Sequence, residues 1–102
     1  MDQIDRIMKM EGILRSAEGT LKQIDSALEQ YEAIQDQIAT LDAYYGSDEW
    51  RYDLDCDTAG LLPSDLRRGV LSEDEVYDLL ILNRELLTRM QEIIIKNEAD
   101  HE

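Results

Sequence analysis

From Ile7 the apolar and small residues recur at Ile7, Met10, Leu14, Ala17, Leu21, Ile24, Leu28 and Tyr31, in alternating steps of three and four. Such spacing holds one stripe in line along a helix and is the seam of a heptad repeat. Beyond Tyr31 the stripe continues at Ile34, Ile38, Leu41 and Tyr45. One step of four has shortened to three, a stammer that overwinds the seam locally without breaking the helix. With Asp2 as N-cap, no Pro inside and Gly46 placed to end it, the pattern predicts one helix from about residue 3 to 45. At 1.5 Å per residue it is roughly 64 Å long, about twice the diameter of a compact globule of this size, and is expected to project from any globular body. Gly12 and Gly19 flank Ser16 on the opposite face. They read as surface glycines that each cost about 1 kcal/mol relative to Ala, or alternatively as a place where another helix comes close.

The last helix is announced by a start signal at Ser72. Ser72 as N-cap and Glu75 three residues on form a capping box, while Leu71 and Val76 form a hydrophobic staple. A wide apolar face follows at Val76, Leu79, Leu80, Leu82, Leu86, Leu87, Met90, Ile93 and Ile94, with Asn83 on or beside it. The pattern predicts helix over about 73–97, fraying at the polar tail from Asn97 to Glu102. Between the two long helices, residues 46–71 hold Trp50, Tyr52, Cys56 and Pro63. Ser47 before Asp48 and Glu49 predicts a short helix from 48 to about 56. Pro63 and Gly69 frame a further turn, Ser64 to Arg68. The fold class expected is all-α: one domain over 1–102, with a coiled-coil-like first helix, a connector with short helices, and a last helix packed back antiparallel as a hairpin or bundle.

Charge narrows the function classes. The 102 residues hold 24 Asp and Glu against 10 Lys and Arg, a net charge of −14. A chain this acidic is repelled by phosphate backbones and anionic headgroups, which argues against direct nucleic-acid or membrane binding and favours basic protein partners. At 43% hydrophobic residues with one Pro, it is too apolar for a disordered acidic tail. A single Cys makes no internal disulfide, and no apolar run is long enough for a signal peptide or membrane span. The cytoplasm is the expected location.

Candidate chemistry is sparse. Asp53, Asp55 and Asp57 resemble the opening of a calcium loop, but Thr58 stands where that loop needs Gly and Ser64 where it needs Glu. On a helix these three carboxylates do not share a face. The sole His, His101, lies in the fraying tail and makes a poor positioned base. Cys56 sits between two acids that disfavour its thiolate and reads as a small half-buried hydrophobe. No catalytic residue, metal site or cofactor is expected. Arg67 and Arg68 are read as paired internally with Asp65 or a first-turn acid of the last helix, or else as an anion clamp. Trp50 with Tyr44, Tyr45 and Tyr52 forms an aromatic cluster that either closes the end of a bundle or serves a partner.

At Leu41 to Trp50 (LDAYYGSDEW) and Leu62 to Leu80 (LPSDLRRGVLSEDEVYDLL) the chain resembles a domain-of-unknown-function family of small acidic helical proteins of bacteria and their mobile elements. The resemblance implies an all-helical domain whose shared residues concentrate in the middle segment and the start of the last helix. It implies no activity.

The function expected is therefore a non-enzymatic interaction or adaptor protein. The last helix is too short to cover the whole seam, so a stripe near Ile7 to Leu21 is left bare for a homodimer or higher oligomer. The candidate partner-binding residues are Tyr44, Tyr45, Trp50, Tyr52, Arg67 and Arg68. The alternative is an acidic mimic of nucleic acid that inhibits a DNA-binding or defence protein.

Overall fold

The computed structural model describes residues 2–100. Three α-helices account for most of them: α1 (Asp2–Tyr44), α2 (Asp48–Thr58) and α3 (Glu73–Asp100), with a single 3-10 turn, Gly69–Leu71, before α3. Among the described residues there is no strand. Helix α1 runs unbroken through the stammer at 31–34, as the absence of Pro allows. Asp2 lies inside the helix as a first-turn acid rather than capping it, where its charge favours the positive end of the helix dipole. The helix ends where Gly46 takes φ +79°, a left-handed conformation that a side chain would strain.

The backbone forms two compact units, one ending at Asp36 and the other beginning at Gln37. In the first unit, α1 buries no residue. Its large apolar seam residues from Ile7 to Leu28 are open to solvent, from Leu28 at 39% to Leu21 at 64%, and Tyr31 is half-buried.

The second unit holds the buried core of the described residues, and it is small: Trp50, Leu71 and Val76. Around it lie half-buried side chains of the end of α1 (Ile38, Leu41, Tyr44, Tyr45) and of one line along α3 (Leu80, Asn83, Leu86, Met90). The end of α1 is tied to the start of α3 by the Tyr45 hydroxyl, which donates to Glu73 O, in keeping with the helical hairpin or bundle expected. The 3-10 turn joins the layers, because the backbones of both α2 and α3 approach it closely. Most of the wide apolar face of α3 stays exposed, including Leu79, Leu82, Leu87, Ile93 and Ile94. The helix continues to Asp100, beyond the expected fraying point, while His101 and Glu102 lie outside the described residues.

The connector departs from expectation at one place. Instead of a helical turn over Ser64 to Arg68, the chain makes a tight turn with Leu66 N–H bonded to Pro63 O, and the helical turn begins at Gly69. The reason lies at the end of α2. Gly60 at φ +73° and the bonds Gly60 N–H to Asp57 O and Leu61 N–H to Cys56 O make a Schellman closure. The chain leaves α2 turned away from the helix axis, and Pro63 is used to bend it rather than to start a helix. At α3 the cap forms, with Glu75 N–H bonded to Ser72 Oγ at 3.4 Å, and both staple residues, Leu71 and Val76, are buried. The reciprocal half of the box does not form: Ser72 N–H is bonded to Gly69 O, and the Glu75 carboxylate lies instead against Gly69.

Half a box predicts a modest cap. Ser72→Ala is expected to lower stability by about 0.5–1 kcal/mol, and Leu71→Ala, which empties a buried site, by about 2–5 kcal/mol. Urea denaturation followed by Trp50 fluorescence orders the two; equal midpoints for both variants and the wild type would show that the α3 start carries no stability.

Candidate functional site

The residues singled out by sequence gather where α2, the 3-10 turn and the start of α3 meet. Ser47 caps α2, accepting from Trp50 N–H at 3.2 Å, so the cap fixes the backbone of the residue whose indole fills the core. Trp50 Nε1–H donates to Val70 O at 2.8 Å, which satisfies the one polar atom of the side chain while its rings are removed from water. Tyr45 meets Trp50 edge to face, with centroids 5.3 Å apart and planes at 67°. Its hydroxyl donates to Glu73 O at 3.0 Å. Two aromatic residues thus tie the end of α1 and the start of α2 to the 3-10 turn and the first residue of α3.

Arg68 holds the loop. Its Nε donates to Asp57 Oδ1 at 2.6 Å, Nη2 to Pro63 O at 2.9 Å and Nη1 to Ser64 O at 3.4 Å. The guanidinium is thus internally paired, but with the last turn of α2 rather than with Asp65 or a first-turn acid of α3. The tight turn at 63–66 explains the choice. It carries Arg68 back over α2, where the planar fork can take a carboxylate and two carbonyls together. Arg67, its neighbour, is exposed. Tyr44 is half-buried and donates to Asp53 Oδ2 at 2.6 Å. That hydrogen bond, with burial and the charges of Asp53 and Glu49, pushes the Tyr44 phenol up to about 12.

Helix α2 therefore uses two of its three alternate aspartates as internal acceptors, Asp53 for Tyr44 and Asp57 for Arg68. Among the described residues no group of three or more His, Cys, Asp or Glu side chains could hold a metal ion. Cys56 is free and half-buried. Its interaction with Tyr52, one turn back, holds that phenol above its ordinary value.

Four of the six candidate binding residues, Tyr44, Tyr45, Trp50 and Arg68, are thus structural ties, and the aromatic cluster shrinks to the Tyr45–Trp50 pair. Tyr52, 69% exposed, and Arg67 remain on the surface. Sequence reasoning missed Leu61, Leu66 and Val70, apolar side chains of the connector that are all exposed. A loop position gives no periodicity by which to sort inward from outward residues; only the density of apolar residues around Pro63 and Gly69 hinted at them.

Two outcomes follow. Trp50→Phe removes the donor to Val70 O and some buried area but keeps an aromatic ring, and is expected to lower stability by about 1–3 kcal/mol; Trp50→Ala, at about 3–5 kcal/mol, should unfold most of the second unit. Thermal melts by circular dichroism test this, and unaltered melts would place the indole outside the core. The second concerns pH. The folded pKa of Tyr44 lies above the ordinary 10.0, so the stabilisation is complete below pH 10 and lost as pH rises towards 12. The stability difference between wild type and Tyr44→Phe should shrink across that window, with the remaining tyrosines cancelling; a flat difference would show that the Asp53 bond is not made in solution.

No curated protein and no solved structure matches the chain. A family model does, described as a domain of unknown function (DUF4298) and matching residues 7–93. That span takes in most of α1, the whole connector with its Trp50 and Arg68 ties, and α3 through Ile93. The chain belongs to the DUF4298 family.

Proposed function

We propose that the protein is a cytoplasmic, non-enzymatic helical interaction protein that self-associates through the N-terminal half of α1 and offers its middle segment to a protein partner. One observation supports the first part above the others. Ile7, Met10, Leu14, Leu21, Ile24 and Leu28 repeat with heptad spacing on a continuous helix, and all are 39–64% exposed. An unbroken apolar stripe of this length is a surface for another helix, since water contact along it is unfavourable and the spacing suits knobs-into-holes packing. In the middle segment the support is division of labour. Trp50, Tyr45 and Arg68 hold the loop in one shape, Arg67, Leu66 and Val70 are presented on it, and Tyr52 is exposed on α2. A net charge of −14 favours a basic partner by long-range attraction.

Light scattering coupled to size-exclusion chromatography at micromolar concentration tests the assembly. The expected mass is at least twice 11.8 kDa, and Leu14→Asp with Leu21→Asp should reduce it to the monomer without loss of helical signal from the second unit. A wild-type monomer would overturn the proposal.

A further inference from the structure

From the charges that flank the seam of α1 we infer that its occupant is a second copy of the same helix lying parallel and in register. This rests on the reading of α1 as the association surface and adds the orientation. The seam assigns heptad positions: Ile7, Leu14, Leu21 and Leu28 fall at a, and Met10, Ala17, Ile24 and Tyr31 at d. The e positions, one after each d, are then Glu11, Glu18, Asp25 and Glu32, every one acidic. The g positions, one before each a, are Arg6, Ile13, Thr20 and Ala27, none of them acidic. The two edges of the stripe are electrostatically different along their whole length.

That asymmetry selects an orientation. In an antiparallel pair of identical helices e faces e and g faces g, so the acidic edge of one copy runs along the acidic edge of the other. Like charges held opposite each other in this way oppose pairing. In a parallel, in-register pair each g residue faces the e residue of the next heptad on the partner. Arg6 then meets Glu11 of the second copy twice by symmetry, and the remaining acids face Ile13, Thr20 and Ala27, which carry no charge. Leu at the a positions also suits more than two strands, and neighbouring strands of a parallel trimer or tetramer meet through the same g-to-e edges. Within one chain Arg15 bonds Glu18 at 2.7 Å and Glu11 at 3.3 Å. These pairs are solvent-exposed and worth little each, and a carboxylate accepts from more than one donor, so Glu11 can meet Arg6 of the second copy as well.

Cysteine pairing reads the orientation directly. In full-length protein carrying Cys56→Ser, Met10→Cys and Leu28→Cys are made separately and oxidised under mild conditions. A parallel, in-register pair brings each position beside its own copy, so both variants should form disulfide-linked dimers on non-reducing gels. An antiparallel pair leaves each variant uncrosslinked alone but joins Met10→Cys to Leu28→Cys when the two are mixed, and that mixed product would overturn the orientation while leaving self-association intact. A monomer by light scattering would instead overturn the association itself. Exchange of charge gives an independent readout at exposed positions that cannot disturb folding of the second unit. Glu11→Arg should weaken the parallel pair about threefold to tenfold by facing Arg6, and Arg6→Glu added to it should restore the affinity. Tighter association on Glu11→Arg alone would mean that acidic edges face each other and would refute the parallel arrangement.

Discussion

The indole of Trp50 is the contact on which the second unit depends. Only three residues are buried in the described chain, and Trp50 is the largest of them. A core this small supplies little beyond the conformational entropy it must offset, so the polar ties around the ring matter. The Nε1–H bond to Val70 O, the Ser47 cap and the edge-on Tyr45 ring each involve a different stretch of chain. Removal of the ring would free the 3-10 turn, and with it the buried Leu71 that leads into α3.

From that anchor the connector acquires a fixed path. Gly60 ends α2 in a left-handed conformation, the Pro63 turn reverses the loop, and Arg68 stitches it to Asp57. No single one of these is strong, since the Arg68–Asp57 pair is partly solvent-exposed and exposed pairs contribute about 1 kcal/mol or less. Together they leave the loop few alternatives. The consequence is that four of the six candidate binding residues are tied internally, while Tyr52 and Arg67, with Leu66, face outward.

The N-terminal stretch of α1 obeys a different physics. It has regular backbone hydrogen bonds but no buried side chain, and an isolated helix draws most of its stability in proteins from packing of an apolar face. The stripe from Ile7 to Leu28 is apolar over three heptads and exposed, and the proposed self-association would supply the packing that it lacks. No helix among the described residues is long and apolar enough to cross a membrane.

Much of this was legible from sequence because it is local. The course of α1 through the stammer, its end at Gly46, the Ser47 cap of α2 and the Ser72 start of α3 all follow from side chains acting within one helical turn of themselves, where spacing and cap chemistry suffice. What the tertiary structure decided is pairing across the connector. That Arg68 would choose Asp57 over Asp65, that Ser72 N–H would go to Gly69 O and leave Glu75 out of the box, and that Trp50 and Tyr45 would turn inward while Tyr52 turned outward depend on where the chain returns after Gly60 and Pro63. Those partners lie up to 28 residues apart, and the choice among several chemically equivalent carboxylates and carbonyls is made by geometry that no periodicity encodes.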